Sequence, residues 1–133
     1  MPMSNSNRAR VAYYTRAAHD SDNTREQLAR QAERARAQIQ ARSDWILTET
    51  ATDLGSGLHV KLSLRQLLDQ AREGGFDLLL IKRLSDLGRS LDALTHTLAE
   101  LHVAGVDLRT VNGERIDTAT GHLITVLLLT VDE

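Results

Sequence analysis

Apolar residues fall along this chain with two periods, one suited to strands and one to helices. Val11 to Tyr14 is a compact β-prone run that meets the polar stretch Ala18–Asn23, which predicts a strand followed by a loop. From Thr24 to Arg42 nearly every residue is a good helix former, with Leu28, Gln31, Ala32, Ala35 and Ile39 at helical spacing. Thr24 and Gln27 have the spacing of a capping box for that helix. Trp45 to Thr52 alternates imperfectly and runs into Asp53-Leu54-Gly55-Ser56-Gly57, a second strand leading to a polar loop. Leu64, Leu67, Leu68 and Ala71 mark a short helix that Gly74 and Gly75 stop. Phe76 to Ile81 is continuously apolar, as a strand buried on both faces would be. Leu87 to Ala104 returns to helical periodicity and ends at Gly105, Val106 to Val111 supplies a fourth strand, and Thr120 to Val131 begins another helix.

Strands alternating with helices predict an α/β domain of three layers, α/β/α. Its central sheet should be mostly parallel, with four to five strands and helices on both faces. Residues 1–7 read as a disordered lead-in and residues 8–133 as one domain. In such sheets polar chemistry gathers at the carboxyl ends of the strands, here after Tyr14, after Thr52 and after Ile81.

Composition narrows the choice of function. With 41% hydrophobic and 26% charged residues the chain is of ordinary globular make-up. A net charge of -2 argues against attachment to DNA by bulk positive charge. The charge is unevenly spread, however. Residues 1–44 carry eight arginines against five acids, whereas residues 45–133 carry eight lysines and arginines against thirteen acids, so an anionic partner is expected to meet the N-terminal third. The absence of cysteine excludes disulfides and thiolate metal sites, and the five histidines have no metal-binding spacing. No metal, no cofactor and no membrane segment are expected, and a cytoplasmic location is.

Four segments then carry a likeness. Tyr14-Thr15-Arg16-Ala17-Ala18, Asp53-Leu54-Gly55-Ser56-Gly57, Lys82-Arg83-Leu84-Ser85-Asp86-Leu87-Gly88-Arg89-Ser90 and Ile116-Asp117-Thr118 resemble, in order and spacing, the N-terminal catalytic domain of serine site-specific DNA recombinases, the resolvases, invertases and large integrases. The likeness runs from about Arg8 to the last residue. It implies a resolvase-like fold and a reaction in which a serine hydroxyl attacks a DNA phosphodiester, forms a 5′-phosphoserine linkage and reverses after strand exchange. Arginines stabilise the charge that builds on the phosphate, and no metal takes part. By position, the resemblance assigns Arg16, Lys61 and Arg89 as phosphate ligands, Gln27 and Asp53 as supporting polar groups, and Tyr14 as a residue that orders the pocket.

Three places depart from the family pattern. Ala18 stands where the attacking serine belongs and has no nucleophilic atom. Ser85 and Asp86 replace an Asp-Arg pair, so a phosphate-facing cation becomes an anion; unit charges ~4 Å apart interact by ~4 kcal/mol at an effective dielectric of ~20. Lys61 keeps charge but lacks the fork of arginine. The resemblance further implies a long helix from near Thr120, of which the sequence holds about three turns before Glu133.

These departures lead to the expectation of a pseudoenzyme that no longer cuts DNA and acts as a binding or regulatory module. Its partners would be DNA, weakly or indirectly, and a second copy or an active recombinase. Two alternatives stay open: an active enzyme with a displaced nucleophile such as Ser21, and a generic dimerising or phosphate-binding module or gene relic. Arg89, placed by the pattern in the first turn of a helix, is an isolated hint of a phosphate partner, because that end of the helix dipole disfavours a cation. Trp45 is expected to be a packing anchor.

Overall fold

The computed structural model describes residues 8–17, 21–55, 62–88 and 90–119. Strand β1 (Ala9–Ala17) is followed by helix α1 (Asp22–Gln40), β2 (Trp45–Leu54), α2 (Leu62–Arg72) and β3 (Leu78–Ile81). A 3-10 turn (Leu84–Asp86), α3 (Leu91–Ala104), β4 (Asp107–Thr110) and β5 (Arg115–Ile116) complete the described chain. The five strands lie in the order β2-β1-β3-β4-β5. All neighbours are parallel except β4 and β5, which run antiparallel through Leu108 opposite Ile116. The α/β expectation therefore holds, with five strands.

The alternation along β1 explains the layers. Ala12 and Tyr14 point to one face and pack with Leu64, Leu67 and Leu68 of α2 and Leu98 and Leu101 of α3. Val11 and Tyr13 point to the other and pack with Ala35 and Ile39 of α1. Strand β3 splits in the same way, Leu79 and Ile81 towards α2 and α3, Leu78 and Leu80 towards α1, and all four are buried. Its unbroken apolar run is the consequence of being covered twice.

Element ends follow local chemistry. Helix α1 begins two residues before the expected Thr24, because Ser21 is its N-cap: the Ser21 hydroxyl accepts the Thr24 backbone N–H at 3.2 Å and donates to Thr24 Oγ1 at 3.0 Å. Thr24 and Gln27 are therefore not the cap. Helix α3 begins at Leu91, where Ser90 accepts the Ala93 amide at 3.0 Å. It ends at Gly105, whose φ of 74° is left-handed, with the Val106 amide reaching back to the Leu101 carbonyl at 3.0 Å. This later start corrects the reading of residues 87–90. Asp86 sits in the 3-10 turn, and Arg89 precedes the Ser90 cap, so the helix-dipole case for Arg89 as a first-turn cation falls away. The C-terminal helix expected from Thr120 lies outside the described residues, as does the lead-in 1–7.

At the amino ends of the strands Arg10 grips Asp77. Its Nε and Nη2 donate to the two carboxylate oxygens at 3.1 and 3.0 Å, and its backbone amide donates at 2.8 Å. The guanidinium holds the Asp77 carboxyl below its ordinary pKa. Trp45 packs against the α1 core at the start of β2, as expected, under the guanidinium of Arg42 at 3.9 Å.

Candidate functional site

The chain leaves β1 for α1 on one face of the sheet and leaves β3 for α3 on the other. Adjacent parallel strands whose connections diverge leave a crevice at their carboxyl ends, the usual ligand position of open α/β sheets. A cleft of about 470 Å³ lies there. β1 lends it Thr15, Arg16 and Ala17; α1 lends Thr24, Gln27, Leu28 and Gln31; the segment after β3 lends Lys82, Arg83, Ser85, Asp86 and Gly88.

Arg16 is the informative side chain. Its Nη2 is buried and has no hydrogen-bond partner among the described residues. A buried guanidinium nitrogen left unpaired is costly, and a bound anion would satisfy it. The only carboxylate on the described wall is Asp86, which is 8% exposed. Burial pushes its carboxyl above the ordinary value, and the charges of Arg83, Lys82 and Arg16 pull it part of the way back. Burial likewise raises the Tyr13 hydroxyl to about 12, with the negative charge of Asp86 adding to the shift.

Asp86 therefore weakens the fold in its ionised form. Its folded pKa lies above the unfolded value, so its own contribution to stability is most favourable below the usual carboxylate range and is lost as pH rises through the folded pKa. Asp86→Asn is expected to be more stable than the parent at neutral pH, with the difference disappearing below about pH 4. Urea denaturation across that range checks this; a variant less stable than the parent at neutral pH would contradict it.

Tyr14 and Asp53 do not reach the wall of the cleft. The fully buried Tyr14 hydroxyl donates to Asp53 Oδ2 at 2.8 Å, and Asp53 accepts the backbone amides of Ser63 at 2.9 Å and Leu64 at 3.0 Å. The Tyr14 hydroxyl is pushed far up, first by burial and then by the bond to Asp53. The pair ties β1, β2 and the first turn of α2 together beside the cleft. The structure thus brings Arg16, Gln27, Ser85 and Asp86 onto one wall, with Tyr14 and Asp53 as its support. Ala18, Ser56, Gly57, Lys61 and Arg89 lie outside the described residues.

Lys82, Arg83, Thr24 and Gln31 also line the cleft, and the sequence pattern assigned them no part in the site. Two consecutive cations directly after the apolar run of β3 were the available signal. Gly88 fixes the rim: a Cβ there would lie 2.7 Å from the Leu94 backbone nitrogen and 3.0 Å from the Ala93 carbonyl carbon. Gly88→Ala must push the segment bearing Ser85 and Asp86 away from α3, at an expected cost of about 1–3 kcal/mol. Thermal denaturation reads that loss; an unchanged Tm would show that the segment moves freely.

The family model described as "Resolvase, N terminal domain" matches residues 11–133. The chain belongs to this family. Its link to DNA recombination follows from that membership. Similar solved structures agree on the architecture of the resolvase domain. A resolvase family site-specific recombinase from Streptococcus pneumoniae superposes with a TM-score of 0.74 at 19% identity, over 94% of this chain and 88% of that one. The N-terminal catalytic domain of TP901-1 integrase gives 0.64 at 25% identity, over 92% and 93%. The C-terminal catalytic domain of ISC1926 TnpA, an IS607-like serine recombinase, gives 0.66 at 24% identity, over 92% and 80%. Comparison with curated proteins finds no match. Among the described residues of this resolvase domain no helix is long and apolar enough to cross a membrane, and no cluster of His, Cys, Asp or Glu could hold a metal ion.

Proposed function

We propose that this resolvase-type domain holds a DNA phosphate in the cleft between β1 and β3 and does not cleave it. The observation that carries the reading is the buried Nη2 of Arg16, without a hydrogen-bond partner among the described residues, on a wall that also bears Lys82 and Arg83. Its counterpart is a sequence fact: two positions after Arg16 the chain carries Ala18, which has no hydroxyl to attack with. Arg16 would take two phosphate oxygens in its fork, Gln27 would orient the group, and Asp86 would weaken the grip through like charge. Lys61 and Arg89 are proposed as further phosphate ligands by their position in the family pattern. Such a domain would act by occupying DNA or by pairing with a second copy or an active recombinase in the cytoplasm.

The displaced-nucleophile alternative meets a geometric obstacle at Ser21. That hydroxyl caps α1 and donates to Thr24, and it is absent from the cleft wall. Among the described wall residues Thr15 pairs with Thr52 and Thr24 with Ser21, which leaves Ser85 as the hydroxyl without a bonded partner. Ser85 is thus the residue on which a residually active enzyme would depend.

Binding of a labelled DNA duplex at low salt, followed by fluorescence anisotropy, tests the phosphate role. Arg16→Gln is expected to weaken binding about tenfold or more, the loss of one or two charge-assisted hydrogen bonds. Equal binding by the variant would overturn the reading.

A further inference from the structure

A second cavity of about 260 Å³ adjoins the first, and the two share Gln31 and Lys82 on their walls. It lies between α1 and the carboxyl ends of β3 and β4, where Arg34, Gln38 and Asn112 join the two shared residues. None of these carries a role in the family pattern described above. The first cleft has three cations and one carboxylate on its described wall; this one has two cations and no carboxylate. Arg34 makes no ion pair with any described residue, although Arg36, two positions on, pairs with Glu33. Gln38 is held at the wall by a long bond from its Nε2 to the Val111 carbonyl, 3.4 Å.

We infer that this second cavity is a phosphate subsite, so that the two cavities together take two consecutive phosphates of a nucleic-acid strand. Phosphate oxygens only accept hydrogen bonds, and the second wall offers them a guanidinium fork, an ammonium and three side-chain amides. Lys82, a compact charge on a flexible stem, borders both cavities and is placed to bridge the two groups. Asp86 stands on the wall of the first cleft, whereas the described wall of the second carries no carboxylate and feels Asp86 from outside, through Tyr13 and Lys82. The second cavity thus matches the first in net charge on its described wall, although its residues carry no role in the family pattern. The inference rests on the first cleft being a phosphate site.

The test uses the whole chain and a 5′-phosphorylated thymidine dinucleotide, which carries two phosphate groups one nucleotide apart, with binding measured by calorimetry. Arg34→Gln removes the fork, and Asn112→Asp places a carboxylate of the same shape on the wall. Both positions are exposed, so neither change threatens the core. Each is expected to weaken the dinucleotide about tenfold, and Arg16→Gln is expected to weaken it as well. If Arg16→Gln weakens binding while Arg34→Gln and Asn112→Asp bind like the parent, the second subsite is wrong and the first cleft stands. If the parent chain binds no dinucleotide, both readings fail.

Discussion

Replacing Asp53 with alanine lowers the unfolding free energy by about 3 kcal/mol, as read from urea denaturation at neutral pH. Three hydrogen bonds end on this one carboxylate, from the Tyr14 hydroxyl and from the backbone amides of Ser63 and Leu64. The two amides belong to the first turn of α2, whose N–H groups have no partner within the helix. Asp53 thus caps α2 from a neighbouring strand, in the place a local N-cap side chain would take, and such caps are worth about 0.5–2 kcal/mol. Removing it also leaves the Tyr14 hydroxyl unpaired at a position with no solvent exposure, a further cost of about 1–3 kcal/mol. Tyr14→Phe removes the donor without orphaning it and is expected to cost only about 1 kcal/mol. The double variant should then lose less than the sum of the two, because both remove the same bond. A loss below about 1 kcal/mol in Asp53→Ala would mean that water reaches the Tyr14 hydroxyl and the α2 amides.

The second large effect concerns the charge of the cleft. Asp86→Asn is expected to raise the affinity for inorganic phosphate about tenfold at neutral pH, and Asp86→Arg about a hundredfold. A unit charge ~7 Å from a bound anion contributes ~2 kcal/mol at an effective dielectric of ~20, and part of that is lost to solvent in an open cleft. The asparagine variant keeps the shape of the side chain, so it reports charge even if the larger arginine disturbs the 3-10 turn. Acidification should imitate it. As pH falls through the raised pKa of Asp86 the parent should bind phosphate more tightly, while Asp86→Asn shows no such rise in that range. Calorimetry at two pH values measures both. Parallel curves for parent and variant would remove Asp86 from the electrostatics of the site.

The layered fold could be read from the sequence because β3 and α2 carry unambiguous patterns: Leu78–Ile81 is apolar throughout and Leu64, Leu67, Leu68 and Ala71 have helical spacing. Residues 84–90 were less transparent. Leu87 continues the period of Leu91, Leu94, Leu98 and Leu101, so the pattern started the helix four residues early; Ser90 and the close approach of Gly88 to α3 decide otherwise. Strand β5 has only two residues, too few for any period to show. At the site, Arg16 and Asp86 were legible as members of a familiar pattern. The bond between Tyr14 and Asp53 was not, because it depends on the register of β1 against β2, which shifts between Val11 and Ala12. Arg34 of α1, Lys82 after β3 and Asn112 after β4 come together from stretches far apart in the chain, and only folding reveals their shared cavity.

The central claim is that the cleft holds phosphate and leaves the strand uncut. Its most direct test is to incubate the protein with supercoiled DNA that includes the sequences flanking its own gene, denature the mixture, and look for protein joined covalently to a DNA 5′ end. The expected result is no covalent species, under conditions in which the same DNA is retained by the native protein. A 5′-phosphoserine adduct would contradict the claim, and its loss in Ser85→Ala or Ser21→Ala would name the serine that replaced Ala18.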